Sequence, residues 1–209
     1  MADENESLAR GQELLAQRQP AKALAVFDAL LQTNPSDVEA RLGRVAALLY
    51  MGEPQFALAA CDVVLANQSA HQGALTLKCW ALTSLRRYDE ADEIVEQQIQ
   101  MSPESATLWY TKAQTLIPQD RWEEAADSLD AALNYDPEMC DAWIGKGNVL
   151  LQMGNPAEAL SAYERALALN PSSSKAHKGQ ERARVAWRTR YFTGILPDLL
   201  IGLMEILGR

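Results

Sequence analysis

The sequence predicts an all-α protein: a solenoid of five helix-turn-helix repeats of 34 residues, followed by a capping helix and a short apolar tail helix. Three observations predict it. Pro35, Pro103, Pro137 and Pro171 stand at multiples of 34 residues from one another, with Ser69 in the one slot that lacks proline. Ala23, Ala57, Ala91, Ala125 and Ala159 keep the same spacing without exception, and Phe27, Cys61, Val95, Leu129 and Tyr163 trail them by four residues, about one helical turn. The composition agrees, since only 7% of residues are aromatic and Ala and Leu recur throughout, which favours helices over a β-sandwich or barrel.

The elements follow in chain order. Residues 1–3 form an N-terminal extension, and the repeats occupy 4–37, 38–71, 72–105, 106–139 and 140–173. The last repeat shows the internal pattern most clearly. Trp143, Gly147 and Leu150 fall at i, i+4 and i+7 on a first helix, and Ala159, Tyr163 and Ala166 do the same on a second. Gly154-Asn155-Pro156 separates the two, because glycine tolerates the left-handed end of one helix and proline suits the first turn of the next. Asn170-Pro171 then closes the repeat, since the residue before proline is pushed out of helical geometry. Small residues such as Gly147 and Ala159 let paired helices approach, and large ones such as Trp143 and Tyr163 fill the remaining space.

Residues 174–192 take the place of a sixth first helix, with Ala176, Ala183, Val185, Ala186 and Trp187 available to cover the last repeat, as a capping helix requires. The charge changes sign here: residues 1–173 hold 12 basic and 25 acidic side chains, a balance of −13, whereas 174–192 hold six basic and one acidic, a balance of +5. In the tail, 193–209, Pro197 can open a short helix whose polar residues Asp198, Gly202, Glu205 and Arg209 share one stripe while the rest is Leu, Ile or Met. At about a dozen residues it is too short to span a bilayer. The default is burial against this chain's own terminal repeats. Docking on another copy, making a homo-oligomer, or on a partner protein comes second, and a membrane surface third.

The residues carrying the repeat resemble the tetratricopeptide repeat family. Its pattern is matched by Trp143, Gly147, Ala159, Tyr163, Ala166 and Pro171 in the fifth repeat, and by Trp109, Ala113, Ala125, Ala132 and Pro137 in the fourth. The first keeps Gly11, Ala23, Phe27 and Pro35. The second keeps Ala57, with Ser69 for proline, and the third keeps Ala91 and Pro103, with Cys79 for the small residue. The resemblance implies a right-handed α-solenoid whose first helices line a concave groove. It places there Leu8, Ala9 and Gln12; Leu42, Ala46, Leu49 and Tyr50; Thr76, Leu77, Trp80 and Thr83; Tyr110, Thr111 and Gln114; and Ile144 and Asn148.

That lining is almost uncharged. Some family members grip acidic chaperone tails with a clamp of Lys, Arg and Asn, and no such clamp can be assembled before Lys175, Lys178 and Arg182 of the cap, a possible basic contact patch only there. An apolar or helical peptide is the better-matched ligand, with Tyr50, Trp80 and Tyr110 as anchors and Leu42, Leu49, Thr76, Gln114 and Asn148 beside them. Trp109, Trp143, Tyr88, Trp122 and Tyr163 are assigned to packing between helices.

A net charge of −9 argues against nucleic acid, whose phosphates need clustered Lys and Arg. Cys61, Cys79 and Cys140 are odd in number and far apart, which implies neither a disulfide framework nor a metal site, so they read as buried thiols. His71 and His177 fall near the starts of first helices with no nucleophile placed beside them, and no phosphate-binding or nucleophile-elbow motif occurs, so no catalytic residue, cofactor or metal is assigned. The start, MADENESLARGQELL, lacks the basic-then-apolar order of a secretory signal, which makes the cytoplasm the expected location. The function expected is a non-enzymatic protein-protein interaction scaffold or assembly factor. The alternative is an adaptor subunit of a membrane-associated assembly or secretion machine, recruited through the basic cap and apolar tail.

Overall fold

A computed structural model describes the backbone of residues 2–189 and the side chains of 5–189. The expected tail helix and residues 190–192 of the expected cap lie outside the described residues. Among the described residues the chain is helical throughout and contains no strand. It divides into two compact units, residues 1–103 and 104–209.

The first unit holds α1 (Ala2–Ala16), α2 (Pro20–Thr33), α3 (Val38–Tyr50), α4 (Pro54–Asn67), α5 (Gln72–Ser84) and α6 (Tyr88–Met101). Each helix packs on the next, and in addition α1 touches α3 and α3 touches α5, so the three first helices lie side by side. The second unit holds α7 (Ala106–Leu116), a 3₁₀ turn (Ile117–Gln119), α8 (Trp122–Tyr135), α9 (Cys140–Gln152), α10 (Pro156–Leu169) and α11 over 174–189. Here too α7, α8, α9 and α10 pack in succession. The first helix begins at Ala2, inside the stretch expected to be an extension.

Local sequence explains the boundaries. Proline opens α2, α4 and α10, where a missing N–H costs nothing. Asp37 caps α3 by accepting from the Ala40 N–H at 3.1 Å, His71 Nδ1 accepts from the Ala74 N–H at 3.3 Å, and Ser173 Oγ accepts from the Ala176 N–H at 3.3 Å. The link between paired helices always passes through the left-handed region, at Arg18, Gly52, Arg86, Asp120 and Gly154. Second helices end on extended residues. Asn34 (φ −132°, ψ 85°) and Asn170 (φ −136°, ψ 89°) precede proline, and Gln68 (φ −137°, ψ 74°) takes the same shape before Ser69, so proline reinforces this corner and is not required for it.

The core is built by trading volume between neighbours. Phe27 on α2 is fully buried, with its ring seated on Gly11 of α1 and Gly43 of α3; a Cβ on either glycine would stand 2.5 or 2.4 Å from Phe27 Cε1. Tyr163 on α10 repeats the arrangement between Gly147 of α9 and Gly179 of α11. Where the central residue shrinks its neighbours grow: Leu129 lies with Ala113 and Gly145, and Cys61 lies in one cluster with Val45 and Leu77. A second column, Leu14, Leu48, Leu82, Leu116 and Leu150, is buried in each first helix. Ion pairs join a first helix to the second helix before it, Arg44 to Asp28 and Lys78 to Asp62 at 2.7 Å, and Lys146 to Asp130. All are substantially solvated, so each adds at most a fraction of a kcal/mol, roughly 0–1.

Candidate functional site

In the first unit the expected lining falls on one stripe of each first helix. Leu42, Ala46 and Leu49 of α3 are half-buried, and Tyr50 at its end is 69% exposed. On α5, Thr76 and Thr83 are half-buried and Trp80 is 37% exposed. On α1, Leu8 is half-buried while Ala9 and Gln12 are exposed. The cations of α3 and α5 are directed elsewhere. Arg44 lies about 200° round α3 from Leu42, as Lys78 does round α5 from Thr76, and each is paired to a carboxylate of the preceding second helix. Arg41 donates from Nε and Nη2 to the Pro35 carbonyl at 2.9 and 2.6 Å. The first-helix stripe of this unit therefore carries no cation, because its cations are held on another flank; its charged side chain on α3 is the exposed Glu39, one turn before Leu42.

In the second unit Tyr110 is half-buried against the Ala113, Leu116 and Leu129 cluster, Gln114 is half-buried, and Asn148 is exposed and accepts the Tyr163 hydroxyl hydrogen at 2.8 Å. Two residues of the expected lining prove to be core: Thr111, whose hydroxyl donates to the Thr107 carbonyl at 2.7 Å, and Ile144, which joins the cluster of Tyr163, Ala176 and Ala183. Lys175, Lys178 and Arg182 of α11 are exposed, and Lys175 stands 3.8 Å from Asp141.

Tyr163 is fully buried, as its packing role requires, whereas Trp109, Trp143, Trp122 and Tyr88 are only half-buried. Trp143 donates from Nε1 to the Pro137 carbonyl at 2.9 Å, and the cations of Lys146 and Arg165 lie 5.6 and 5.8 Å from its ring centre. Cys61 and Cys79 are buried, and burial pushes both thiols up to about 12. Cys140 is half-buried, not fully buried, because it starts α9; its thiol is raised as well, chiefly by desolvation. His71 is a helix cap, and His177 Nε2 lies 2.9 Å from the Pro171 carbonyl. Among the described residues no three His, Cys, Asp or Glu side chains are grouped to hold a metal ion, and no helix is long and apolar enough to cross a membrane.

Two surface features escaped the sequence reading. Phe56 on α4 is 65% exposed, and Val63 on the same helix is exposed beside a cleft of about 270 Å³ walled by Leu31, Pro35, Ala60, Arg41 and Arg44. Phe56 did carry a signal. The residues standing 34, or a multiple of 34, away from it are Lys22, Glu90, Glu124 and Glu158, all charged.

Family models described as the tetratricopeptide repeat match residues 4–48 and, in overlapping stretches, 76–142, 110–174 and 144–189. None of the curated proteins matches the sequence. Among solved structures, TTC0263, a thermophilic protein of this class from Thermus thermophilus, is 22% identical with a TM-score of 0.80 over 87% of this chain and 99% of that one. MamA (41-end) from Desulfovibrio magneticus RS-1 is 20% identical with a TM-score of 0.54, over 82% of this chain and 97% of that one. YrrB, described as having an unusual peptide-binding site, is 16% identical with a TM-score of 0.53, over 84% and 90%. At these identities the likeness is one of fold.

Proposed function

The chain belongs to the tetratricopeptide repeat family, and from that premise we propose that it is a non-enzymatic scaffold or assembly factor that binds an apolar or helical segment of a partner protein. Repeats of this family generally serve as protein-interaction modules, and YrrB, which shares the fold, is described as having an unusual peptide-binding site. The observation that carries the reading is the largely apolar, cation-free first-helix stripe of residues 1–103, with Tyr50 and Trp80 standing out of it and Glu39 at its α3 start. Large aromatics offer contact area at small entropic cost, and a stripe cleared of cations does not strip water from them when it is covered. Leu42, Leu49 and Thr76 make the floor. Tyr110, Gln114 and Asn148 are contact positions on the second unit in their own right. The reading includes no catalytic role for the buried, protonated thiols of Cys61 and Cys79.

Photo-crosslinkers placed at Tyr50 and at Trp80, with one at exposed Met101 as a control, test the assignment. The two stripe positions should capture the same segment of one partner, and Met101 should not. A Tyr50→Ala, Trp80→Ala double variant should then bind that segment at least about 30-fold more weakly while its helicity is retained, a loss of about 2 kcal/mol. Unchanged affinity for the double variant would remove the stripe as the binding face.

A further inference from the structure

The leucine column of the first helices stops at α11. The residue 34 beyond Leu150 is Arg184 and the residue 34 beyond Gly147 is Glu181; both are exposed, and they stand 3.8 Å from each other. The face on which every other first helix receives its partner is thus polar in α11, while Ala176, Gly179 and Ala183 seat the helix on α10. What α11 leaves to solvent is basic. Lys175, Lys178, Arg182, Arg184 and Arg188 are all exposed, against one carboxylate of α11 itself, Glu181, and Asp141 of α9 beside Lys175, on a chain whose first 173 residues balance to −13. Two large apolar side chains are exposed as well: Val185, at 56%, lies within the arc of cations, and Trp187, at 43%, lies at its edge, between the Arg184 and Ala183 directions.

We propose that the exposed face of α11 docks on the surface of an anionic lipid bilayer. Charge complementarity selects an anionic partner, and the form of the face selects a bilayer over an acidic protein. Its cations are spread along about 20 Å of helix and round about half its circumference, which suits an extended sheet of headgroups better than one acidic patch. Val185 and Trp187 supply what headgroup phosphates alone would not reward, an amphipathic ring and an apolar contact at the boundary with the acyl chains.

The test is co-sedimentation of the full chain with vesicles of phosphatidylcholine alone and of phosphatidylcholine rich in phosphatidylglycerol. The chain should pellet with the anionic vesicles only, and less so as salt rises well above about 0.1 M, where the screening length falls below about 10 Å. Each cation near an anionic surface is worth about fivefold in partitioning, so Lys178→Glu, Arg182→Glu and Arg188→Glu together should lower it by at least about 100-fold. A glutamine version of the same triple variant guards against misfolding and should lose binding in the same direction, with unchanged circular dichroism. Three results would overturn the proposal: no binding to anionic vesicles at low salt, equal binding to neutral vesicles, or binding indifferent to both triple variants. Self-association abolished by the same substitutions, with no vesicle binding, would assign the face to a second copy of this chain instead.

Discussion

The ring of Tyr163 fills the space that a side chain on Gly147 would need: a Cβ built there would lie 2.7 Å from Tyr163 Cε1, and Tyr163 is fully buried. Two opposing effects meet at this contact. Alanine at 147 improves helix propensity by about 1 kcal/mol, yet forces a buried ring to move, which costs about 1–3 kcal/mol. Gly147→Ala should therefore destabilise the protein by up to about 2 kcal/mol. With Tyr163→Leu present, the pair becomes the Ala113 and Leu129 combination that the chain already uses, and Gly147→Ala should stabilise that background by up to about 1 kcal/mol. Urea denaturation of the four proteins in this cycle checks the reversal of sign; an equal effect in both backgrounds would show that the ring does not limit the site.

The left-handed residue between paired helices is glycine at Gly52 and Gly154 but arginine at Arg18 (φ 57°) and Arg86 (φ 60°). A Cβ in this region costs roughly 1–2 kcal/mol, partly offset by the greater freedom glycine has when unfolded. Arg86→Gly, at an exposed position, should raise stability by about 0.5–1 kcal/mol. Asp120→Gly (φ 57°) should gain less, because Asp tolerates this conformation better. Thermal melts of the single variants check the order.

How much was legible in the sequence depended on whether a residue's role is repeated along the chain. The left-handed Gly154 and the corner at Asn170 were readable because local chemistry alone decides them. Thr111 shares its register with Gly43 and Gly145, which abut Phe27 and Leu129, but also with exposed Ala9 and half-buried Leu77, so that column alone does not separate lining from packing. Ile144 was not legible that way either, since Leu42, Thr76 and Tyr110 in the same register stay half-buried and Ile144 is covered by its cluster with Ala176 and Ala183 of α11. The flank on which Arg44 and Lys78 are held needed the ion pairs to be seen.

Thr83 is a further departure from its column. Its register mates Leu15, Leu49, Ile117 and Leu151 are apolar and half-buried, whereas the Thr83 hydroxyl is buried without a hydrogen-bond partner. A desolvated, unpaired hydroxyl costs about 1–3 kcal/mol. Thr83→Val keeps the shape and removes the polar atom, so it should stabilise the protein by about 1 kcal/mol, and Thr83→Ser should not. A chemical-denaturation midpoint for Thr83→Val at or below that of the parent would show that the hydroxyl is satisfied in solution.

The thiols of Cys61 and Cys79 set an alkaline limit on stability. Each ordinarily ionises near 9.0 and is pushed up to about 12 in the fold, first by desolvation and then by a neighbouring carboxylate, Asp62 for Cys61 and Asp92 for Cys79. Between those values the unfolded chain has lost a proton that the folded chain keeps, so the unfolded state binds fewer protons and stability falls as pH rises. The loss begins near pH 9, is absent below it, and approaches about 1.4 kcal/mol per pH unit for each thiol. Tyr163, pushed up from 10.0 to about 12 chiefly by desolvation, adds to the slope above pH 10. Denaturation at pH 8, 9, 10 and 10.5 should show stability level to about pH 9 and falling beyond it. A Cys61→Ala, Cys79→Ala variant, though less stable at pH 8 for the packing it loses, should fall less steeply. Equal slopes for the two proteins would mean that these thiols ionise in the folded state as readily as in the unfolded one.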